Sequence, residues 1–200
     1  MANPNTPYGL RPYSFESGAP YNGAVRTYYV PSGNGTALYL GDPVILITNS
    51  SDGNGIQTVE IASAASTNPV LGSFMGISNN AGIATIPLLQ SQTPYLASGQ
   101  AAYIYVSDDP FLLYAMQEDS VGGAMVSGVS GQNASLVAGS GSTVTSQSGW
   151  QLDSSTVTTS SLQMRIIALL QEVDNVVGVN AKWLTKINFG YHPFLNATGI

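Results

Sequence analysis

Residues 24–48 read AVRTYYVPSGNGTALYLGDPVILIT, and this stretch decides the fold class. Its two halves, 24–30 and 36–48, are rich in the β-branched and aromatic residues that strands prefer. Between them lies PSGNG, whose Gly and Asn residues accept the positive φ angles of tight turns. The run PVILIT at 43–48 shows no alternation of polar and apolar residues, which predicts a strand buried on both faces. The whole stretch therefore predicts β structure.

The middle of the chain carries the same signal twice. Residues 101–107, AAYIYVS, and residues 110–117, PFLLYAMQ, both have strand composition. Asp108 and Asp109 join them, and two strands with a short polar connection predict a hairpin.

The C-terminal half contains one clear strand and two less regular segments. AKWLTKINF, residues 181–189, alternates so that every second residue from Trp183 lies on one face. LQMRIIALLQEV, residues 162–173, fits a helix as well as a strand, and its β-rich neighbours favour the strand. The Gly- and Ser-rich residues 119–149 predict loop with one short helical turn or a ragged strand. The face defined by the alternation consists of Trp183, Thr185, Ile187 and Phe189.

Many short strands separated by Gly, Ser and Asn turns predict an all-β fold, a single β-barrel or sandwich-like domain with at most short helical turns. We interpret residues 1–23 as an extended N-terminal arm and residues 24–200 as the β-rich body. The arm has no core of its own, so its aromatic residues must pack on its own body, on a sister subunit or on another protein. Its prolines favour extended backbone. They are Pro4, Pro7, Pro12 and Pro20.

The charge pattern argues against several kinds of partner. Asp, Glu, Lys and Arg make up 8% of the residues, against about 25% in an average protein, so much of the surface is uncharged or covered by other subunits. The net charge is −6, and no Lys or Arg occurs between Arg26 and Arg165. Nucleic acids and anionic membranes attract proteins through basic residues, so we expect neither as a partner. The chain has no Cys and thus no disulfide bond or thiolate metal site.

No motif for catalysis, a cofactor or a metal stands out. His192 is the one histidine, and without a marked nucleophile or orienting group it is interpreted as an ordinary exposed or interface residue. The pairs Asp108–Asp109 and Glu118–Asp119 could form a carboxylate dyad or a hard-metal site, but acidic turn residues are the favoured interpretation. We therefore expect no enzyme, no cofactor and no metal. A carboxylate-dependent hydrolase is the remote alternative.

Three passages resemble virion structural proteins of tailed bacteriophages, of the head decoration or capsid cement type. The likeness covers both ends of the chain and the region after residue 114, and residues 49–100 carry little of it. The passages are MANPNTPYGLRPYSFESGAPYNGAV at the start, YAMQEDSVGG at 114–123 followed by GQNASLVAGSGSTVTSQSGWQLDSS at 131–155, and LLQEVDNVVGVNAKWLTKINF at 169–189.

The resemblance implies a protein that binds the outer surface of the phage capsid and stabilises the expanded shell. Such a protein is assembled in the host cytoplasm and located on the virion. Its partners are the major capsid protein and copies of itself, as a homotrimer or less often a homodimer. A tail, neck or host-binding virion protein is the alternative. The residues that we expect at the capsid or subunit interface are Tyr8, Leu10, Arg11, Tyr13, Phe15, Tyr21, Trp183, Tyr191 and Phe194.

Overall fold

The computed structural model describes residues 3–64, 69–78 and 94–196, and the fold is all-β as predicted. Strands make up 39% of the chain, and there is no helix of seven or more residues in this described part. The helical segments found there are three-residue 3-10 turns at Ser127–Val129, Ser154–Thr156 and Pro193–Leu195. Within the same residues, no helix is long and apolar enough to cross a bilayer.

The strands follow one another through the whole chain. In chain order they are β1 (Arg11–Phe15), β2 (Arg26–Val30), β3 (Pro43–Ser51), β4 (Gln57–Ile61), β5 (Gly72–Ser78), β6 (Ala102–Ser107), β7 (Leu112–Gln117), β8 (Asn133–Ala134), β9 (Leu136–Val137), β10 (Gln151–Leu152), β11 (Met164–Leu169) and β12 (Lys182–Ile187).

Five of these strands close into a barrel in the order β2, β4, β3, β5 and β6. β2 runs parallel to β4, and the other neighbours are antiparallel. Because side chains alternate across a strand, one face of each strand fills the barrel interior. The buried residues of this core include Tyr28, Val30, Val44, Val59, Phe74, Ile104 and Val106.

The other large unit is an antiparallel sheet in the order β1, β7, β12, β11 and β8. The predicted alternation of β12 is confirmed, because Trp183, Thr185 and Ile187 are buried and the residues between them are half-buried. Phe189 lies beyond the end of the strand and is exposed instead. Within the ambiguous segment 162–173, Met164–Leu169 form a strand, β11, as favoured, and the residues on either side lie outside it.

The predicted hairpin across Asp108 and Asp109 is wrong. β6 is paired on both edges inside the barrel, to β2 and to β5, so it has no free edge for β7. β7 pairs instead with β1 and β12 in the sheet. The two aspartates therefore form the passage from the barrel to the sheet.

The prediction of a doubly buried strand at 43–48 is also wrong for most of that run. Val44 is fully buried, whereas Ile45, Leu46 and Ile47 are half-buried and Thr48 is exposed. Ile45 packs against the core of the sheet and Leu46 against the core of the barrel. The absence of alternation thus reflects a strand that contacts two cores without being enclosed by either.

The N-terminal segment lies on the body of its own chain, one of the three possibilities left open by the sequence. β1 pairs with β7 at the edge of the sheet, and Leu10 is fully buried. The Leu10 amide donates to the Gly41 carbonyl at 2.8 Å. Gly9, at φ +72°, allows this approach, since a Cβ there would lie 2.2 Å from the same oxygen.

Candidate interaction surfaces

The acidic pair at the passage between barrel and sheet is occupied by local contacts. Asp108 accepts hydrogen bonds from the Tyr28 hydroxyl at 2.6 Å and from Arg26 at 3.2 Å. Desolvation raises the pKa of Asp108, and these two contacts offset part of that rise. Asp109 accepts from the amide of Phe111 at 2.8 Å, as a turn residue does.

The second acidic pair is occupied in the same way. Glu118 is buried and accepts from the amide of Met125 at 2.7 Å, and desolvation raises the pKa of its carboxyl. Asp119 accepts from the amide and the hydroxyl of Ser154, at 3.0 and 2.8 Å. Both carboxylates therefore hold loops of their own chain. Among the described residues, no group of three or more His, Asp or Glu side chains is arranged to hold a metal ion.

His192 is fully buried, so the expectation of an exposed or interface histidine is wrong. Its Nδ1 accepts a hydrogen bond from the amide of Phe194 at 3.2 Å, which caps the last 3-10 turn. Its Nε2 has no hydrogen-bond partner within the described part of the chain. Desolvation lowers the pKa of His192 to about 4, so the side chain is neutral at neutral pH.

The structure corrects the interface prediction for Leu10 and Trp183, which are fully buried in the core of the sheet and offer no surface to a partner. Arg11, Tyr13 and Phe194 are exposed. The remaining predicted residues are half-buried and face the surface in part. They are Tyr8, Phe15, Tyr21 and Tyr191.

Several aromatic residues lie together where β1 and β12 end and β7 begins. Phe15 pairs with Leu112, so it lies beside Phe111, and the amide of Glu16 donates to the carbonyl of Phe111 at 2.9 Å. Lys186 forms an ion pair with Glu16, which brings the end of β12 to the same place. We call this surface the aromatic end. Its members are the aromatic residues in or beside these strand ends and in the segment that follows β12: Phe15, Tyr21, Phe111, Phe189, Tyr191 and Phe194.

Three phenylalanines of the aromatic end face solvent, with exposed fractions of 53% at Phe111, 71% at Phe189 and 41% at Phe194. Each is held at its backbone: Asp109 caps Phe111, the Asn188 side chain accepts from the Phe189 amide at 2.9 Å, and His192 caps Phe194. Phe111 and Phe189 were not predicted at an interface, because the sequence pattern placed both on strands. The signal for each is its neighbour, Pro110 or Gly190, since both lie outside the strands β7 and β12.

The opposite end of the sheet carries a loop between β11 and β12 with four exposed valines. We call residues 173–179 the valine loop, and Val173 is 100% exposed. The exposed members are Val173, Val176, Val177 and Val179. Contiguous exposed apolar groups of this kind mark interaction sites more often than chance.

Two asparagine side chains fix the valine loop. Asn175 donates to the carbonyls of Leu170 and Lys182 at 2.7 and 2.8 Å, and accepts from the Lys182 amide at 2.9 Å. Asn3 donates to the carbonyls of Val176 and Val179, both at 2.9 Å, and accepts from the Val176 amide at 3.1 Å. The loop is thus held in one conformation. Sequence reasoning missed it because the contact of Asn3 spans nearly the whole chain.

A groove of about 830 Å³ lies beside the valine loop, between the N-terminal segment, the barrel and the 142–147 loop. Its lining includes apolar Leu40 and Met75 and the polar or charged Tyr8, Arg11 and Lys182. Burial raises the pKa of the Tyr8 hydroxyl, which therefore stays neutral. The groove can accept an apolar group that carries a negative charge.

Comparisons with known proteins do not assign these surfaces: no family model, curated protein or solved structure matches this chain.

Proposed function

We propose that this protein is a structural virion protein that binds the outer surface of a tailed-phage capsid and stabilises the expanded shell. The aromatic end is the observation that carries the proposal, because three phenylalanines in the segments before β7 and after β12 are exposed to water. The resemblance of the three sequence passages to decoration proteins supplies the partner. The occupied carboxylates favour a binding role over the alternative of a carboxylate-dependent hydrolase.

The binding free energy that this surface can supply suits a capsid, which repeats the same binding site many times. Full burial of one Phe side chain contributes about 2–3 kcal/mol, so covering the exposed parts of three contributes about 4 kcal/mol. Taken alone, that corresponds to a dissociation constant of about 1 mM, before the cost of association. One copy would bind weakly. Several linked copies on a repeating surface bind far more tightly, because each later contact is intramolecular.

The low charge of the chain fits the same role. Interface cores are depleted in charged residues and enriched in aromatic ones, and the aromatic end follows this pattern. Four of its charged neighbours are already paired, Glu16 with Lys186 and Arg26 with Asp108, and Asp109 accepts from the Phe111 amide. Arg26 also lies over the Phe194 ring, with the guanidinium carbon 5.2 Å from its centre. Covering this surface therefore leaves few charges without a partner.

The test uses purified expanded shells that lack the protein. We expect the wild type to sediment with the shells, to decorate them regularly in images and to raise their temperature of disruption. The variant Phe111→Ser/Phe189→Ser should lose about 3 kcal/mol, or about 100-fold in affinity per copy. Val121→Ser is the matched control, since Val121 is an exposed residue on a different loop.

Failure of the wild type to bind expanded shells would overturn the proposal. Decoration of a tail or neck instead of the head would replace it with the alternative virion role. Equal binding by the phenylalanine variant and the Val121→Ser control would show that the aromatic end is not the docking surface.

A further inference from the structure

We propose that two copies of this chain form a two-fold symmetric dimer in which the valine loop of each copy enters the groove of the other. The proposal goes beyond shell binding and does not depend on it, because it concerns the free protein. Four observations carry it. Hydrogen bonds hold the valine loop in place, and apolar residues line the groove. Arg11 in the groove and Asp174 in the loop are in no ion pair, and loop and groove lie next to each other on one face.

The valine loop is already fixed in the conformation in which it would bind a partner. Asn3 and Asn175 hold it through six hydrogen bonds to its backbone and to the strand ends beside it. A loop already fixed in one conformation loses little entropy when it binds. The valines gain nothing from this order in the free chain, since they remain in water. If a partner buried the valines against an apolar surface, the fixed conformation of the loop would reduce the entropy lost on binding.

The groove offers such a surface. Half-buried Leu40 and Met75 and buried Phe74 are among the residues that line it. Met is an adaptable side chain that fits apolar groups of varied shape. The volume of the groove is about 830 Å³.

Charge complementarity favours a second copy as the occupant. The ion pairs of the described residues join Arg26 to Asp108, Lys182 to Glu172 and Lys186 to Glu16, and all Asp and Glu residues of the chain lie in that part. Arg11, at the rim of the groove, is in none of them. Asp174, in the valine loop beside Val173, is in none either. The loop thus brings a carboxylate to an arginine that lacks one.

Symmetry follows from the position of the two surfaces. Lys182 lines the groove and also pairs with Glu172 at the base of the valine loop, at 2.8 Å, so loop and groove are neighbours on one face. A two-fold interface requires both complementary surfaces to lie on the same patch, because each copy contacts the other through identical residues. Loop and groove meet this requirement.

The test measures the mass of the free protein by sedimentation equilibrium over a range of concentrations. We expect a dimer for the wild type. Arg11→Glu and Asp174→Arg should each weaken the dimer about 10-fold or more, since each places like charges opposite one another. Both residues are exposed, so both variants should fold normally. Val173→Ser/Val176→Ser should also weaken the dimer, whereas Val121→Ser should not.

Mixing the two charge variants gives the sharpest result. In a two-fold dimer of one Arg11→Glu copy with one Asp174→Arg copy, both contacts again join opposite charges, so the equimolar mixture should recover a one-to-one dimer. The phenylalanine variant of the shell-binding test should still dimerise, which separates failure of one proposal from failure of the other. A monomeric or trimeric wild type, or a mixture that stays monomeric, would overturn the dimer.

Discussion

The two ends of the five-stranded sheet both expose apolar side chains, but they hold them by different means. At the aromatic end, each exposed phenylalanine is held by a neighbour in sequence, such as Asp109 for Phe111 or Asn188 for Phe189. At the other end, the valine loop is held locally by Asn175 and also by Asn3, from the far end of the chain. The contacts at the aromatic end are all local and form with its strand ends. The Asn3 contact exists only after the whole sheet has assembled, so the valine end is the more sensitive to the state of the fold.

Two buried titratable groups, one near the aromatic end and one near the groove, have pKa values that are shifted in opposite directions. His192 lies under the aromatic end, next to Tyr191 and Phe194, whereas Asp42 lies under the groove, next to Gly41. Desolvation lowers the pKa of His192 to about 4 and raises that of Asp42 to about 6. The same burial therefore acts in opposite directions at the two sites, because one group is charged by gaining a proton and the other by losing it.

The largest effect is expected from the core that the two ends share. Trp183 is fully buried in β12, which runs from one end to the other. Trp183→Ala should lower the free energy of unfolding by about 3–5 kcal/mol, and both ends should lose order together. Denaturant unfolding checks the stability, and hydrogen exchange checks the two ends separately. Loss of protection at one end alone would contradict a shared core.

A matched control for that change is Trp183→Phe. The indole Nε1 has no hydrogen-bond partner in the described part of the structure, and Phe removes this buried donor while it keeps most of the apolar volume. We expect the cost to stay below about 1.5 kcal/mol.

The pH dependence of stability should separate the two ends. The folded-state pKa of His192 is about 4 against an ordinary 6.5, so the unfolded chain binds its proton first as the pH falls. This group therefore lowers the stability by about 3 kcal/mol between about pH 6.5 and pH 4. The pKa of Asp42 is about 6 against an ordinary 3.8, so that group costs about 3 kcal/mol above pH 6 and the cost disappears as the pH falls to about 4.

Two variants make these opposed contributions visible. In His192→Asn, the amide oxygen can still cap Phe194, and in Asp42→Asn it can still accept from the Tyr39 amide. Relative to the wild type, the free energy of unfolding of His192→Asn should rise by about 3 kcal/mol from pH 7 to pH 4, while that of Asp42→Asn should fall by about the same amount. Denaturant titrations at each pH measure both. If the free energy of unfolding of a variant changed with pH as that of the wild type does, the shifted pKa assigned to that residue would be wrong.

The smallest effect is expected from the Asn3 contact. Asn3→Ala removes three hydrogen bonds to the valine loop and should cost about 2 kcal/mol, chiefly as local opening. Exchange of the Val176 amide should become about 10- to 100-fold faster, while the aromatic end stays as protected as before. Asn5→Ala is the control, because Asn5 is exposed and lies two residues away. If the Val176 amide exchanged equally fast in both variants, the valine loop would keep its conformation without the Asn3 contact.

Sequence reasoning predicted those features that depend on neighbours in the chain. The burial of alternate residues in β12 and the strand at 162–173 follow from patterns within a few residues. The hairpin across Asp108 failed, because the pairing of β6 depends on which strands already occupy its edges. Burial of His192 also escaped prediction, since the residues that cover it come from distant parts of the chain. Of the candidate surfaces, four of the six members of the aromatic end were among the residues predicted at an interface, and the valine loop was missed.

By itself, the sequence determined the β character, the turns, the scarcity of charge and the absence of cysteine chemistry, because composition and short-range periodicity set each of these. The tertiary structure alone decided which strands form the barrel and which the sheet, where the carboxylates and His192 find their contacts, and which aromatic and valine residues remain in water. Those outcomes depend on pairing between segments far apart in the chain, as between Asn3 and the valine loop, and no local pattern encodes such pairing.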